Sequence, residues 1–218
     1  MCDARMWGSI PDALAPRPIF HAAPVDGDTI ASIARTILRD APPRFALAGL
    51  SLGGIVAMEV LAQAPDRVDR LALLDTNPLA EAPSMQARRA AQIDRALSGD
   101  LDGVMRDEMK PNYLANPDDL DLLNLCLDMA RALGPLAFAR QSRALRDRVD
   151  QTDTLRRYKG PALVLMGEQD RPYPRNRHDL MHALMPQSRL VIVPDAGHLP
   201  PLENPAATLA ALTEWLDQ

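Results

Sequence analysis

Several features that would assign the chain to particular classes of protein are missing from its sequence. Only two cysteines occur, Cys2 and Cys126, so there is no disulfide framework, and their positions suggest neither metal ligands nor a nucleophile. Basic residues form no run, and the formal net charge is −5, so nothing indicates a nucleic-acid partner. Residues 1–7 contain no apolar signal core, and no window approaches a membrane span. The sequence therefore predicts a soluble cytoplasmic protein without a membrane partner.

Aromatic residues are also scarce, at 4% of 218 residues, whereas apolar residues of all kinds make up 47%. The core is therefore expected to consist of Leu, Ala, Val, Ile and Met side chains. This length suits one domain with an insertion better than two independent domains.

The most informative segment is residues 49–54, where Ser51 has a glycine two positions before it and another two positions after it. An apolar run, 45–48, precedes this segment, and a helical pattern, 55–62, follows it. A serine on a sharp turn between a strand and a helix is typical of a nucleophile elbow. Small flanking residues let strand and helix approach closely, and the helix N-terminus favours negative charge beside the serine. The alternative is an ordinary glycine-rich loop.

A serine hydroxyl is a poor nucleophile at neutral pH and needs a base that a third group orients. The apolar run 161–166 is typical of a buried strand, and Asp170 follows its carboxyl end. A second run, 189–193, is followed by His198. Open α/β sheets place their sites beyond the carboxyl ends of their strands. The chain order of serine, aspartate and histidine therefore predicts a catalytic triad.

With these three motifs, the chain resembles the α/β-hydrolase superfamily, in particular its serine esterases and lipases with a helical lid. The resemblance runs from about residue 17 to the C-terminus. It implies that Ser51 is the nucleophile, that His198 acts as general base and then as general acid, and that Asp170 orients the imidazole. It also implies that the amide of Leu52 is one oxyanion donor.

The expected fold is a mostly parallel α/β-hydrolase sheet flanked by helices, because strand and helix patterns alternate with short connections. Besides the strands before Ser51, Asp170 and His198, strands are predicted at 18–22 and 68–75. A helix capped by Asp28 is expected after the first of them.

Residues 78–158 interrupt this alternation with helical patterns alone. These patterns lie at about 84–98, 101–110, 117–133 and 135–149. The resemblance identifies 78–158 as a helical lid, and 1–77 and 159–218 as the α/β-hydrolase core. A lid can control substrate access and exclude water. The alternative is a helical subdomain that only stabilises the fold.

The superfamily normally carries further strands before the one expected at 18–22, and one of them ends in a loop whose amide completes the oxyanion hole. Few residues precede this position, so the first strands, the central one among them, and the second oxyanion donor are expected to be missing. Loss of one such donor typically costs about 100-fold to 1,000-fold in rate. Two explanations stay open: a fragment or a start assigned too far downstream, or a truncated and impaired relative.

Five other residues have alternative interpretations. Asp75 ends a predicted strand where some members of the superfamily carry the triad acid, but its expected role is to cap the turn into the lid. Asp195 is expected to bond to its own loop backbone. His178 and His182 have the i, i+4 spacing of a zinc pair, yet without a third ligand a solvated helix face is favoured. His21 either lines the pocket or is structural.

The predicted activity is hydrolysis of an ester or related acyl bond of a small molecule through an acyl-enzyme on Ser51, as in a carboxylesterase. No cofactor and no metal ion are expected. The superfamily handles short-chain esters, lactones, thioesters and carbon–carbon bonds, and neither the substrate nor the oligomeric state follows from the sequence. The competing hypothesis is a truncated, catalytically impaired relative that binds a small molecule or a protein.

Overall fold

The fold is built on one sheet of parallel strands. The structure is a computed structural model, and it describes residues 1–109 and 112–218. The strands are β1 (Phe45–Leu50), β2 (Val68–Leu74), β3 (Ala162–Gly167) and β4 (Arg189–Val193). They lie in the order β1-β2-β3-β4, and each neighbouring pair is parallel. Each corresponds to a predicted strand, and the parallel α/β fold is confirmed.

Helices cover both faces of the sheet and fill the segment between β2 and β3. They are α1 (Ile10–Ala13), α2 (Ile30–Asp40), α3 (Leu52–Gln63), α4 (Pro83–Arg95), α5 (Leu101–Gly103), α6 (Leu120–Arg146), α7 (Thr152–Arg157), α8 (Arg175–Leu184), α9 (Pro200–Glu203) and α10 (Pro205–Asp217). Short 3₁₀ turns occur at Ala4–Trp7 and Pro65–Arg67, and π-helical turns at Ala96–Asp100 and Val104–Met109. Lys110, the last residue of the helix predicted at 101–110, lies outside the described residues.

The sheet separates two buried apolar clusters, because successive side chains of a strand point to opposite faces. On β2, Leu71 and Leu73 join the cluster formed with α2, α3 and α8, whereas Ala72 and Leu74 join the cluster formed with α10. All four side chains are fully buried. Burial on both faces explains why residues 71–74 of β2 and 162–166 of β3 are continuous apolar runs in the sequence.

Helix α2 begins at a different cap from the one predicted. Its N-cap is Thr29, whose Oγ1 accepts a hydrogen bond from the Ser32 amide at 3.1 Å. In return, Ser32 Oγ accepts from the Thr29 amide at 3.2 Å, which completes a capping box. The prediction of Asp28 as the cap is wrong, because this reciprocal pair satisfies two amides at the start of the helix.

The strand predicted at 18–22 is absent, and this prediction is wrong. These residues have no regular structure, and Ile19 and Phe20 are 43% and 51% exposed. Within the described residues, β1 is an edge strand that pairs with β2. A strand needs a neighbour for its backbone groups, and in the described part of the chain no strand pairs with residues 18–22.

Helices α4, α5 and α6 form a unit between β2 and β3 that has a small apolar core of its own. Val104, Met105 and Phe138 belong to this core, and each is at most 1% exposed. Helix α6 changes direction at Gly134, whose φ of 79° and ψ of 172° are not helical. The helical patterns predicted before and after this glycine are therefore the two halves of α6. The lid boundaries at 78 and 158 stay a prediction.

Helix α6 is also the one helix of the described chain that is long and apolar enough to cross a membrane by length and composition alone. The break at Gly134 divides it into two pieces, each shorter than the roughly 20 residues that a span needs. On its first half, Cys126 and Met129 are fully buried within the protein. These observations favour a packed helix over a membrane span.

Candidate active site

Ser51 lies on the sharp turn between β1 and α3. Its φ of 55° and ψ of −117° are rare for a residue with a side chain. A Cβ atom on Gly49 would lie 2.2 Å from the carbonyl oxygen of Gly53, and one on Gly54 would lie 2.7 Å from the side chain of Thr76. At Gly53 itself, a Cβ would meet nothing within 4 Å. The close approach therefore needs glycine at 49, as the motif predicts, and at 54 rather than at 53.

Strand β2 holds this strained turn from the side. The Ser51 amide donates to the carbonyl oxygen of Leu74 at 2.9 Å. The hydroxyl of Thr76 donates to the carbonyl oxygen of Ser51 at 2.8 Å. Both main-chain groups of the serine are thus paired, and the hydroxyl emerges beyond the carboxyl end of the sheet.

Three residues predicted to act together meet at this edge. The Nε2 atom of His198 lies 2.9 Å from Ser51 Oγ, and its Nδ1 atom lies 3.0 Å from Asp170 Oδ1. The side chains of His198 and Asp170 are 2% and 0% exposed. With the proton on Nδ1, the imidazole donates to the carboxylate and offers Nε2 as acceptor to the serine hydroxyl. The arrangement can remove the hydroxyl proton while the buried carboxylate stabilises the resulting imidazolium.

The loop that carries His198 is held by a carboxylate that the sequence did not single out. Glu203, on α9, accepts hydrogen bonds through Oε2 from the amides of Gly197 at 2.9 Å and Leu199 at 3.0 Å. Its Oε1 accepts from the amide of Ala115 at 2.6 Å. One side chain therefore joins both sides of the histidine loop to the segment before α6. Its position soon after the histidine was the only signal in the sequence.

Two tyrosine rings pack against the imidazole of His198. The ring centroids of Tyr113 and Tyr173 lie 4.9 Å and 5.7 Å from that of the imidazole, in tilted orientations. Burial raises the pKa of both phenols, so both stay neutral near pH 7. Tyr113 O also accepts from the His198 amide at 2.6 Å. The histidine is thus enclosed between the helical insertion and the loop after β3.

Asp75 does not have the role expected for it. Its φ of 43° turns the side chain across the sheet, where Oδ1 accepts from the Gly167 amide at 2.9 Å. Asn77 instead caps the turn into the helical insertion, through Oδ1 and the amide of Leu79 at 3.1 Å. The prediction that Asp75 caps this turn is therefore wrong. Desolvation and the negative charge of Asp170 raise the pKa of Asp75 well above the usual range of an aspartate.

The two histidines at zinc-pair spacing have different surroundings. His178 is fully buried, so the solvated face expected for it is wrong, and desolvation lowers its pKa to about 4. The buried side of α8 packs on the sheet, which sequence spacing alone did not reveal. His182 is half-buried, with Nδ1 2.8 Å from Ser188 Oγ. Of the remaining candidates, His21 is exposed, and Asp195 has a positive φ of 53°.

A buried ionic cluster joins the beginning of the helical insertion to its end. Arg148 Nη1 and Nη2 donate to Glu81 at 3.0 Å and 3.1 Å, and Arg89 Nε donates to the same carboxylate at 2.7 Å. All three side chains are at most 11% exposed. Arg148 Nε also donates to the carbonyl oxygen of Leu79 at 2.9 Å. No local sequence pattern predicted this cluster, because its members come from three separate segments.

Known proteins resemble the chain in sequence and in fold. A sequence profile described as the Alpha/beta hydrolase family matches residues 5–212. The chain is 28% identical to the pimeloyl-acyl-carrier protein methyl ester esterase of Klebsiella pneumoniae subsp. pneumoniae over 227 residues, which cover 94% of this chain and 86% of the relative.

Two solved structures resemble the whole chain. A thermophilic esterase from Thermogutta terrifontis, with malate bound, has a TM-score of 0.86 and 26% identity, over 99% of this chain and 86% of its own. The enol-lactonase from Burkholderia xenovorans LB400 has a TM-score of 0.85 and 21% identity, over 100% of this chain and 88% of its own. The second likeness is one of fold alone.

Proposed function

The chain belongs to the alpha/beta hydrolase family, and we propose that it is a serine hydrolase that cleaves carboxylic esters of small molecules. The observation that carries this proposal is the continuous hydrogen-bonded series from Ser51 Oγ to His198 and from His198 to Asp170. All three groups lie at the carboxyl edge of the sheet, and the serine is held in a strained turn at the start of α3. These are the parts that an acyl-enzyme mechanism requires.

In the first half of the reaction, His198 Nε2 takes the hydroxyl proton as Ser51 Oγ attacks the ester carbonyl carbon. The carbonyl oxygen becomes an oxyanion that the amide of Leu52 stabilises. Leu52 is the first residue of α3, so its N–H has no partner within the helix, and a helix N-terminus favours developing negative charge. The imidazolium then protonates the departing alcohol, which leaves an acyl group on the serine.

In the second half, His198 takes a proton from water, and the resulting hydroxide attacks the acyl group. Collapse of the second tetrahedral intermediate releases the carboxylic acid and returns the proton to Ser51. Asp170 holds the imidazole in one tautomer through both halves and offsets its positive charge. It does so through Oδ1, while the Tyr173 amide at 3.2 Å keeps that oxygen in place.

Methyl esters are the first substrates to test, because the Klebsiella relative is a methyl ester esterase. The helical insertion over 78–158 is proposed as the lid that shapes the acyl pocket, since Tyr113 from this segment packs on His198. Cytoplasmic location and the absence of a membrane partner stay predictions.

Covalent labelling tests the nucleophile directly. A fluorophosphonate probe is expected to label the wild-type protein and not Ser51→Ala, because the probe reacts with an activated serine hydroxyl. Ser98→Ala, on the helical insertion, is the matched control and should label like wild type. Labelling that survives in Ser51→Ala would remove Ser51 from this role. A folded wild-type protein that neither labels nor hydrolyses esters would favour the impaired, ligand-binding relative.

A further inference from the structure

Two carboxyl groups, rather than the one that a triad uses, lie buried beside His198. Asp75 is fully buried at the end of β2, and the Asp170 side chain has no exposed surface. One nitrogen or oxygen atom from each of Asp75, Asp170 and His198 lies within 4.8 Å of the other two. Two negative charges at such a distance repel each other strongly when they are removed from water, so one carboxyl is expected to hold a proton.

The hydrogen bonds indicate which carboxyl that is. Asp170 Oδ1 receives two N–H groups, from His198 at 3.0 Å and from the Tyr173 amide at 3.2 Å. Asp75 Oδ1 receives one, from the Gly167 amide at 2.9 Å. More donors favour the anion at Asp170. The Oδ2 atoms of both residues are buried without a partner, and a single proton between them would satisfy both.

We propose that Asp75 is a neutral carboxylic acid whose hydroxyl donates a hydrogen bond to Asp170 Oδ2, and that it thereby positions this carboxylate for His198. Its part is that of a positioning residue, since it touches neither the ester nor the serine. The effect of Asp75 on catalysis rests on the proposed function, whereas its protonation state does not.

The charges around Asp75 agree with a neutral group. Burial and the Asp170 carboxylate raise its pKa, the Glu203 carboxylate acts in the same direction, and only the Gly167 amide opposes them. A metal ion could bind the same three side chains only if His198 gave up one of its contacts, because Ser51 and Asp170 already use both ring nitrogens. A shared proton keeps both of these contacts.

Two substitutions separate the hydrogen bond from the charge. Asp75→Asn keeps a neutral donor for Asp170 and an acceptor for Gly167, and asparagine tolerates the φ of 43°. Asp75→Gly also tolerates this backbone but removes the donor. We expect Asp75→Gly to lose at least about tenfold in kcat, because small displacements of catalytic groups are costly. Asp75→Asn should restore kcat to the order of magnitude of wild type. Equal losses in both variants would overturn the proposal.

The pH profile gives a readout that a purely structural role would not move. If Asp75 is neutral in wild type, Asp75→Asn leaves the apparent pKa on the acid limb of kcat/KM where it is. If Asp75 is an anion, its removal deprives the imidazolium of a neighbouring negative charge and lowers this apparent pKa by one unit or more. That fall would overturn the proposal.

Infrared spectroscopy of the unliganded protein needs no activity. At neutral pH, wild type should show the carbonyl stretch of a protonated carboxylic acid, and Asp75→Asn should lack it. Absence of this band in wild type would overturn the inference whatever the activity. A band that is present in a protein without esterase activity would support the neutral carboxyl and count against the proposed function instead.

Discussion

The two regions that meet at His198, the sheet edge and the helical insertion, are held in place by different kinds of contact. At the sheet edge, main-chain hydrogen bonds between strands fix the turns. The Ser51 amide donates to Leu74 O at 2.9 Å, and the Asp75 amide donates to Leu165 O at 2.9 Å. Strand register therefore decides where these side chains emerge, and few substitutions can move them.

Beside the main-chain bond from the His198 amide to Tyr113 O, side chains attach the helical insertion to the core. Gln151 Nε2 donates to Glu59 Oε2 on α3 at 2.6 Å. Glu203 joins the segment before α6 to the histidine loop through Ala115. The difference suggests that substitutions at the sheet edge alter the chemistry itself, whereas substitutions in these attachments alter the position of the insertion and the stability of the fold.

The largest loss of activity is expected when Asp170, the orienting acid, is replaced. Asp170→Asn leaves the side chain in place but removes the charge that fixes the imidazole tautomer and offsets the imidazolium. In a well-studied triad, the same change costs about 10,000-fold in kcat, and we expect a loss of at least about 100-fold in turnover of an activated ester. Steady-state hydrolysis of p-nitrophenyl acetate measures it.

Asp75→Asn is the matched control, because it makes the same chemical change in the other buried carboxyl. Its loss should be far smaller than that of Asp170→Asn. The reverse ranking would transfer the orienting role to Asp75 and would contradict the assignment of Asp170.

The meeting of Ser51, Asp170 and His198 at one edge of the sheet could be predicted because the position of each residue depends on local pattern. Ser51 follows one apolar run closely, and Asp170 and His198 follow two others, so each lies at a strand end. Parallel strands bring such ends to one edge. The mistake at 18–22 has the opposite cause: an apolar run is a strand only if another strand lies beside it, and the local pattern does not contain that information.

The roles of Asp75, Glu203 and His178 could not be predicted for a related reason. Asp75 bonds to Gly167, which is 92 positions away in the chain, and Glu203 bonds to Ala115, 88 positions away. His178 is buried because of the way α8 packs on the sheet. In each case a contact between distant segments sets the protonation or the orientation of the side chain. The residue type and its neighbours in sequence therefore do not predict its role.

A smaller loss of stability and activity is expected when Glu203, which joins the insertion to the histidine loop, is replaced. In Glu203→Gln, one of the two side-chain oxygens that accept amide hydrogens becomes an NH₂ group, which cannot accept. At least one partly buried amide then loses its partner, so the free energy of unfolding should fall by about 1–3 kcal/mol. Urea denaturation measures this change, and kcat should fall with it as the histidine loop loosens.

Glu214→Gln provides the control, since Glu214 is an exposed residue of α10 whose ion pair with Arg189 is expected to contribute little. Its stability and kcat should stay near those of wild type. If Glu203→Gln were as stable and as active as this control, Glu203 would not hold the histidine loop.

The smallest effect concerns stability alone and is confined to acid pH. Because His178 is buried, its pKa in the folded protein is lowered to about 4, whereas an unfolded histidine titrates near 6.5. Protonation therefore favours the unfolded chain, and the stability that this group contributes is lost as the pH falls from about 6.5 towards 4. At pH 5 the loss amounts to about 2 kcal/mol.

A plot of the free energy of unfolding against pH tests this prediction. His178→Leu should flatten the part of the curve between about pH 4 and 6.5, whatever the absolute stability of the variant. His21→Gln, at an exposed position, should keep the wild-type slope. An unchanged slope in His178→Leu would mean that burial does not lower the pKa of His178, and the assignment of this acid sensitivity to His178 would be wrong.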